Sequence, residues 1–211
     1  MEDVLTLYAQ PYDAEVPLVC FDEKPLTLHA DVRDPLPCKP EHPQREDYEY
    51  ERLGTANLFV FVEPQAGRRC VEMSQQRTKL DFAQTLRWLV DEVYPDARLI
   101  RLVMDNLNTH TAAALYEVFP PAEAQRIWQK VEVHYTPKHG SWLNMAEIEI
   151  SIFERSCLSK RVTNEEEMWK HIVALASERN AHRCQIHWRF TCEDARVQMH
   201  DLYPSPKIQL D

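Results

Sequence analysis

The chain has 211 residues, 44% of them apolar and 27% charged, enough for one sizeable domain with a real core. Its net charge of −10 excludes tight unaided binding to phosphate, and the excess acid sits in residues 1–137, which hold 23 acidic against 14 basic side chains. No apolar run approaches the roughly 20 residues of a membrane helix, three glycines cannot form a phosphate-cradling loop, and six scattered cysteines contain no C-x-x-C pair.

The first residues, MEDVLTLYAQPYD, are acidic and lack the apolar core of a signal peptide, so a cytoplasmic protein with no membrane partner is expected. Residues 16–25, VPLVCFDEKP, read as a buried strand that Pro25 stops. Residues 26–32, LTLHADV, alternate with period two, as a paired strand does. Four prolines mark 34–47 as a loop. LFVFVEP (58–64) is a β-branched and aromatic run suited to a central strand. A PQAG turn then leads into an alternating strand, RRCVEMS (68–74).

In residues 79–94, Leu80, Ala83, Leu86, Leu89, Val90 and Val93 recur at helical spacing, and Pro95 ends the segment. LIRLVMD (99–105) is a strand that closes on an aspartate. A short helix over 109–119 is stopped by Pro120 and Pro121, and KVEVHYTP (130–137) is another strand. Residues 144–158 form a helix with Asn144 as its N-cap and Glu147 at the capping-box position. Residues 163–182 form the last, with Thr163 and Glu166 as its capping box. Strands first, then strands alternating with helices, predict one α/β domain on a mixed sheet: an antiparallel hairpin, then parallel additions.

Two of these strands end in Asp22 and Asp105. If they are neighbours, both carboxylates meet at one sheet edge, and an acid from a passing helix, Glu147 or Glu149, joins them. Three carboxylates without a counter-charge repel one another. Two Mg²⁺ ions about 4 Å apart would relieve that and could activate a nucleophile and stabilise a leaving oxygen at a phosphodiester. The same aspartates read equally well as turn residues at strand ends, and Glu147 as part of a helix cap. Glu149 lies about 200° round the helix from Glu147, so both cannot face one site.

Three segments carry more than spacing does. CFDEKP (20–25), VMDNLNTH (103–110) and YTPKHGSWLNMAEIE (135–149), in that order, resemble the DDE transposases of bacterial insertion sequences, in particular the insertion-sequence six-thirty family, relatives of the mariner-like transposases. GTANLFVFVEP (54–64) and WRFTCEDAR (188–196) also look like this family, so the resemblance spans nearly the whole chain. It implies a ribonuclease H-like fold, a mixed five-stranded sheet flanked by helices. It implies Asp22, Asp105 and Glu147 as the catalytic, metal-binding triad, with Glu147 preferred to Glu149 because it holds the aligned position after "LN". The implied cofactor is Mg²⁺, two ions, with Mn²⁺ as a substitute. The implied reaction is cleavage of DNA at transposon ends and joining of the 3′-hydroxyl to target DNA.

Asn106 and His110, just beyond Asp105, are then candidates for orienting metal-bound water or DNA phosphate, with turn and cap roles as the alternative. Lys138, His139 and Trp142 are candidates for holding a DNA strand by charge and stacking, with plain surface-loop roles as the alternative. Lys138, Lys160, Arg161, Arg179, Arg183 and Arg189 could form a local basic track. The division expected is an extension over 1–15, the catalytic domain over 16–182 and a tail over 183–211. Full-length family members carry an amino-terminal helix-turn-helix region, for which the strand beginning near residue 16 leaves no room. A split transposase or a relic is therefore expected, with a helix-turn-helix partner polypeptide, DNA as substrate and a homodimer in the DNA complex, nucleoid-associated when bound. The interval between Asp105 and Glu147 exceeds the mariner-type spacing, and residues 120–130 are expected to be an extra turn. The rival readings are a ribonuclease H-like nuclease that does not join strands, and a non-catalytic remnant.

Overall fold

A computed structural model describes residues 1–43, 45, 47–158 and 161–203. Its sheet is built from β1 (Leu18–Asp31), β2 (Tyr50–Glu63), β3 (Arg68–Ser74), β4 (Ile100–Met104) and β5 (Val131–Tyr135), in the spatial order β3-β2-β1-β4-β5. The first three strands are antiparallel neighbours, while β4 and β5 add in parallel, so the sheet is mixed as expected. The helices are α1 (Glu2–Tyr8), α2 (Lys79–Trp88), α3 (Ala112–Val118), α4 (Pro121–Gln129), α5 (Ala146–Ser156), α6 (Glu165–Ala181) and α7 (Cys192–Gln198).

Alternation along the strands divides the core into two layers. Val19, Phe21, Phe59, Phe61, Leu102 and Met104 face α2, α3 and α4. Leu18, Cys20 and Val103 face the other way and pack with Leu143, Met145, Ala146, α1 and α7. On that same side, Leu58, Val60 and Val62 pack against Ile150, Phe153, Met168 and Ile172 of α5 and α6. Segments from both chain ends, α1 and Ala195 of α7, thus share one cluster with the central strands; residues 204–211 of the tail lie outside the described residues.

Several local expectations are corrected. Pro25 does not stop its strand: β1 runs on to Asp31, with Pro25 opposite Asn57. The β4 ladder covers only Leu18, Val19 and Cys20, so beyond that point β1 has a neighbour on one side, and a proline without an N–H is tolerated there. β2 starts at Tyr50 rather than 58, and its first four residues are exposed, so no apolar pattern marks them. Residues 120–130 are not a turn but hold α4, with Pro120 at the N-cap and Pro121 at the first helical position, where a missing N–H costs nothing. Helix α6 is capped by Asn164, whose side chain accepts from the Glu167 N–H at 2.8 Å, one residue later than the Thr163 and Glu166 box. The helix over 79–94 is α-helical only to Trp88. Its last turn, Leu89–Val93, widens into a π-turn closed by Tyr94 N donating to Leu89 O at 2.9 Å. Among the described residues, no helix is long and apolar enough to cross a membrane.

Candidate active site

The parallel register pairs Cys20 with Val103. Side chains alternate faces every residue, so two residues on, Asp22 and Asp105 leave the carboxyl edge on the same side of the sheet, the side that carries α5. Adjacent parallel strands lie about 4.8 Å apart, so the two aspartates are neighbours across this edge. Glu147 sits in the first turn of α5, is exposed, and is near enough for its charge to act on Asp22. Burial, the largest cause, pushes the Asp22 carboxyl up to about 7. A hydrogen bond from the Glu23 N–H (2.8 Å) opposes this, and the negative charges of Glu147, Asp105 and Glu23 add to it.

Asn144 locks α5 to this edge. Its Nδ2 donates to Phe21 O at 2.7 Å and to Asp22 Oδ2 at 3.3 Å, and its Oδ1 accepts from Ala146 N at 3.1 Å. The expected Asn144–Glu147 capping box is therefore absent. Met145 holds the N-cap position without a side-chain bond, and Glu147 spends its backbone N–H, not its carboxylate, on Asn144 O. Glu149 is elsewhere, as helical geometry requires. It is fully buried, takes Arg179 Nε at 2.6 Å and Nη2 at 3.1 Å, and has Arg69 Nε 3.0 Å away without the alignment of a hydrogen bond.

His110, a candidate for orienting metal-bound water or DNA phosphate, is buried, only 1% exposed. Its Nδ1 lies 2.6 Å from Asp105 Oδ1 and its Nε2 lies 3.0 Å from Glu23 Oε1. Burial disfavours the charged ring, but hydrogen bonds to Asp105 and Glu23 outweigh it and push His110 up to about 9. Asn106 is exposed in the loop after β4. Lys138, His139 and Trp142 come together around a cleft of about 440 Å³ that Leu202 and Tyr203 also line. Trp142 is 42% exposed, and its ring stacks on Trp188 with centroids 6.2 Å apart. Of the expected basic track, Arg179 is taken by Glu149 and Arg161 by Asp31, and Lys160 lies outside the described residues.

Sequence reasoning missed two members of this region. Asn144 was read as a helix cap because its long-range partner on β1 leaves no local trace. Glu23 did have a signal: two acids in succession at a strand end must face opposite sides, so one of them needed a partner beneath the sheet.

The donor set is all oxygen, which suits a hard cation. Among the described residues no three His, Cys, Asp or Glu side chains converge as a ready-made protein cage. A carboxylate edge that leaves most coordination positions to water and phosphate is the arrangement Mg²⁺ ordinarily accepts, and the residues fit it.

Residues 17–169 match the family model described as DDE superfamily endonuclease. No curated protein matches the chain. Among solved structures it is similar to the Mos1 mariner paired end complex with Mn, at 17% identity and a TM-score of 0.58, over 87% of this chain and 56% of that one. It is likewise similar to the Mos1 Strand Transfer Complex, at 16% identity and a TM-score of 0.59, over 87% and 55%. The chain thus spans little more than half the length of these proteins, and at such identity the likeness is one of fold, the ribonuclease H-like sheet with its flanking helices. With the family model covering well over half of its residues, the chain belongs to the DDE superfamily endonuclease family.

Proposed function

We propose that this chain is the catalytic domain of a mariner-like DNA transposase, cutting DNA at transposon ends and joining the freed 3′-hydroxyl to target DNA. The observation that carries it is the edge itself. Asp22 and Asp105 leave neighbouring parallel strands on one face, Glu147 overhangs them from α5, and Asp22 is held in a surrounding that disfavours its charge. Such a cluster is suited to a divalent cation. When bound there, two Mg²⁺ or Mn²⁺ ions would supply Lewis-acid stabilisation of the phosphodiester oxygens and a nucleophile at neutral pH.

The chain's own residues do the positioning. Asp22 would hold the cations from within β1 and Asp105 from just beyond the end of β4, and Glu147 would complete one shell from the α5 side. Asn144 ties β1 beside Asp22 to the start of α5, which carries Glu147. Lys138 and His139 would meet phosphate, Trp142 would stack on a base, and Asn106 would contact DNA beside Asp105. Residues 16–182 would form the catalytic domain, with 1–15 and 183–211 as flanking segments. DNA is the substrate, and a homodimer is proposed for the DNA complex, in the cytoplasm and at the nucleoid when bound. With a net charge of −10, the chain alone should bind DNA weakly and lose binding steeply with salt. A partner polypeptide with a helix-turn-helix region would read the ends.

The test is strand transfer from a labelled, pre-cut transposon end in Mg²⁺ or Mn²⁺. Joined product that disappears with Asp105→Asn supports the reading. Hydrolysis without joining would leave a nuclease, and neither product would leave a non-catalytic remnant.

A further inference from the structure

The loop after β4 exposes Asn106, Leu107 and Asn108, so Asp105 sits where a chain usually loses rigidity. Its side chain is one-third exposed, and among the described residues its recorded side-chain partner is His110. His110 is itself held on every side. Its ring packs against Phe21 and Phe82, with centroids 5.2 and 4.8 Å away. Tyr135 Oη donates to its backbone carbonyl at 2.8 Å. Its Nε2 is fixed by Glu23, whose side chain is 4% exposed.

Glu23 comes from the opposite face of β1 to Asp22. The pair therefore reaches round the end of β4 from beneath the sheet and takes one oxygen of Asp105, Oδ1. We propose that His110, braced by Glu23, is a positioning residue that fixes the Asp105 carboxylate so that its other oxygen, Oδ2, is presented to a divalent cation. This rests on the reading of Asp105 as a metal ligand. Groups that orient ligands in this way set metal affinity by about 10–100-fold. A pair that merely filled the core would be replaceable by apolar side chains of similar size.

The experiment measures Mn²⁺ binding to the intact chain from the loss of the free-Mn²⁺ electron paramagnetic resonance signal. Folding is checked separately by circular dichroism and urea unfolding in EDTA. Glu23→Leu with His110→Phe removes both polar side chains and fills the space between Phe21 and Phe82. It should fold and bind Mn²⁺ about tenfold or more weakly. Glu23→Leu with His110→Asn restores a donor near the Nδ1 position and should recover most of that loss. Should the first variant fail to fold, Glu23→Gln with His110→Met takes its place. Unchanged Mn²⁺ affinity in the folded donor-free variant, or no recovery with His110→Asn, overturns the proposal while leaving Asp105 as a ligand. A wild-type chain that binds no Mn²⁺, or binds it undiminished with Asp105→Asn, overturns the ligand reading and this proposal together.

Discussion

Glu147 and Glu149 stand two residues apart on α5 in opposite surroundings. Glu149 is fully buried between Arg69 and Arg179, and the network continues: Arg69 Nη2 donates to Cys184 O at 2.7 Å, and Asn180 exchanges hydrogen bonds with the Arg69 backbone at 2.8 Å each way. Glu147 is exposed beside Asp22 and Asp105, and among the described residues no arginine or lysine is paired with any of the three acids. One helix turn thus sends one acid into a closed cluster that ties α5 and α6 to β3, and another to an edge where, among the described residues, the partner of an acid is the His110 ring on Asp105 rather than an arginine or lysine. A carboxylate that serves the fold is neutralised by the protein. A carboxylate left among like charges costs the fold something and has capacity for a cation.

Substitutions break this comparison in order of size. Asp22→Asn, Asp105→Asn and Glu147→Gln should each lower strand transfer about 10³-fold or more, the scale of removing an essential group, with unchanged circular dichroism. Activity surviving in Glu147→Gln but lost in folded Glu149→Gln would reverse the assignment of the two glutamates. The closed cluster should respond in stability instead. Glu149→Gln leaves the buried Arg69 guanidinium without its counter-charge and should cost about 3–5 kcal/mol in urea unfolding. Glu147→Gln, being exposed, should stay within about 0.5 kcal/mol of wild type. A Glu149→Gln protein as stable as wild type would show that the arginine cluster does not hold α5 in place.

Metal sharpens the contrast from the other side. Mg²⁺ or Mn²⁺ at about a hundred times its Kd should stabilise the chain by about 2.7 kcal/mol, which for a chain of this size is a Tm rise of about 5–10 °C. The rise should vanish in Asp22→Asn, Asp105→Asn and persist in folded Arg69→Met. An equal rise in the double mutant would place the cation elsewhere.

The smallest effect is the pH response of the metal-free chain. Asp22 titrates near 7 when folded and near its ordinary 3.8 when unfolded, so between these values the folded state binds the extra proton. Its contribution to stability is present below about pH 4 and is lost as pH rises through about 7. Asp22→Asn should therefore raise the metal-free Tm by a few degrees at pH 8 and by less at pH 5. A wild-type-minus-mutant difference that is flat with pH would show that the Asp22 charge is not burdened.

Much of the fold was legible because it is written in local periodicity. The β3 boundaries, the apolar runs ending at Asp22 and Asp105, and the 3.6-residue pattern of Leu86, Leu89, Val90 and Val93 need only the neighbours in sequence to be recognised. The outer halves of β1 and β2 were not, because they gain order from pairing with each other rather than from burying an apolar face. Cap positions slipped by a residue at α6, and at α5 the expected box gave way, because Asn144 found a stronger set of partners on β1 than its own helix offered.

At the site, the sequence by itself determined which acids follow the apolar runs and that Glu147 and Glu149 must part company, since residue alternation and helical pitch are properties of the local chain; that Asp22 lies inside β1 rather than at its end came from pairing with β2. Only the tertiary structure decided that β1 and β4 are parallel neighbours, that Asn144 ties β1 to α5, and that His110 turns inward to join Glu23 with Asp105. These contacts join residues 87 to 123 positions apart for Glu23–His110 and Phe21–Asn144. No local pattern encodes which partner a buried polar group will find at that distance, because the choice is made by the packing that removes it from water.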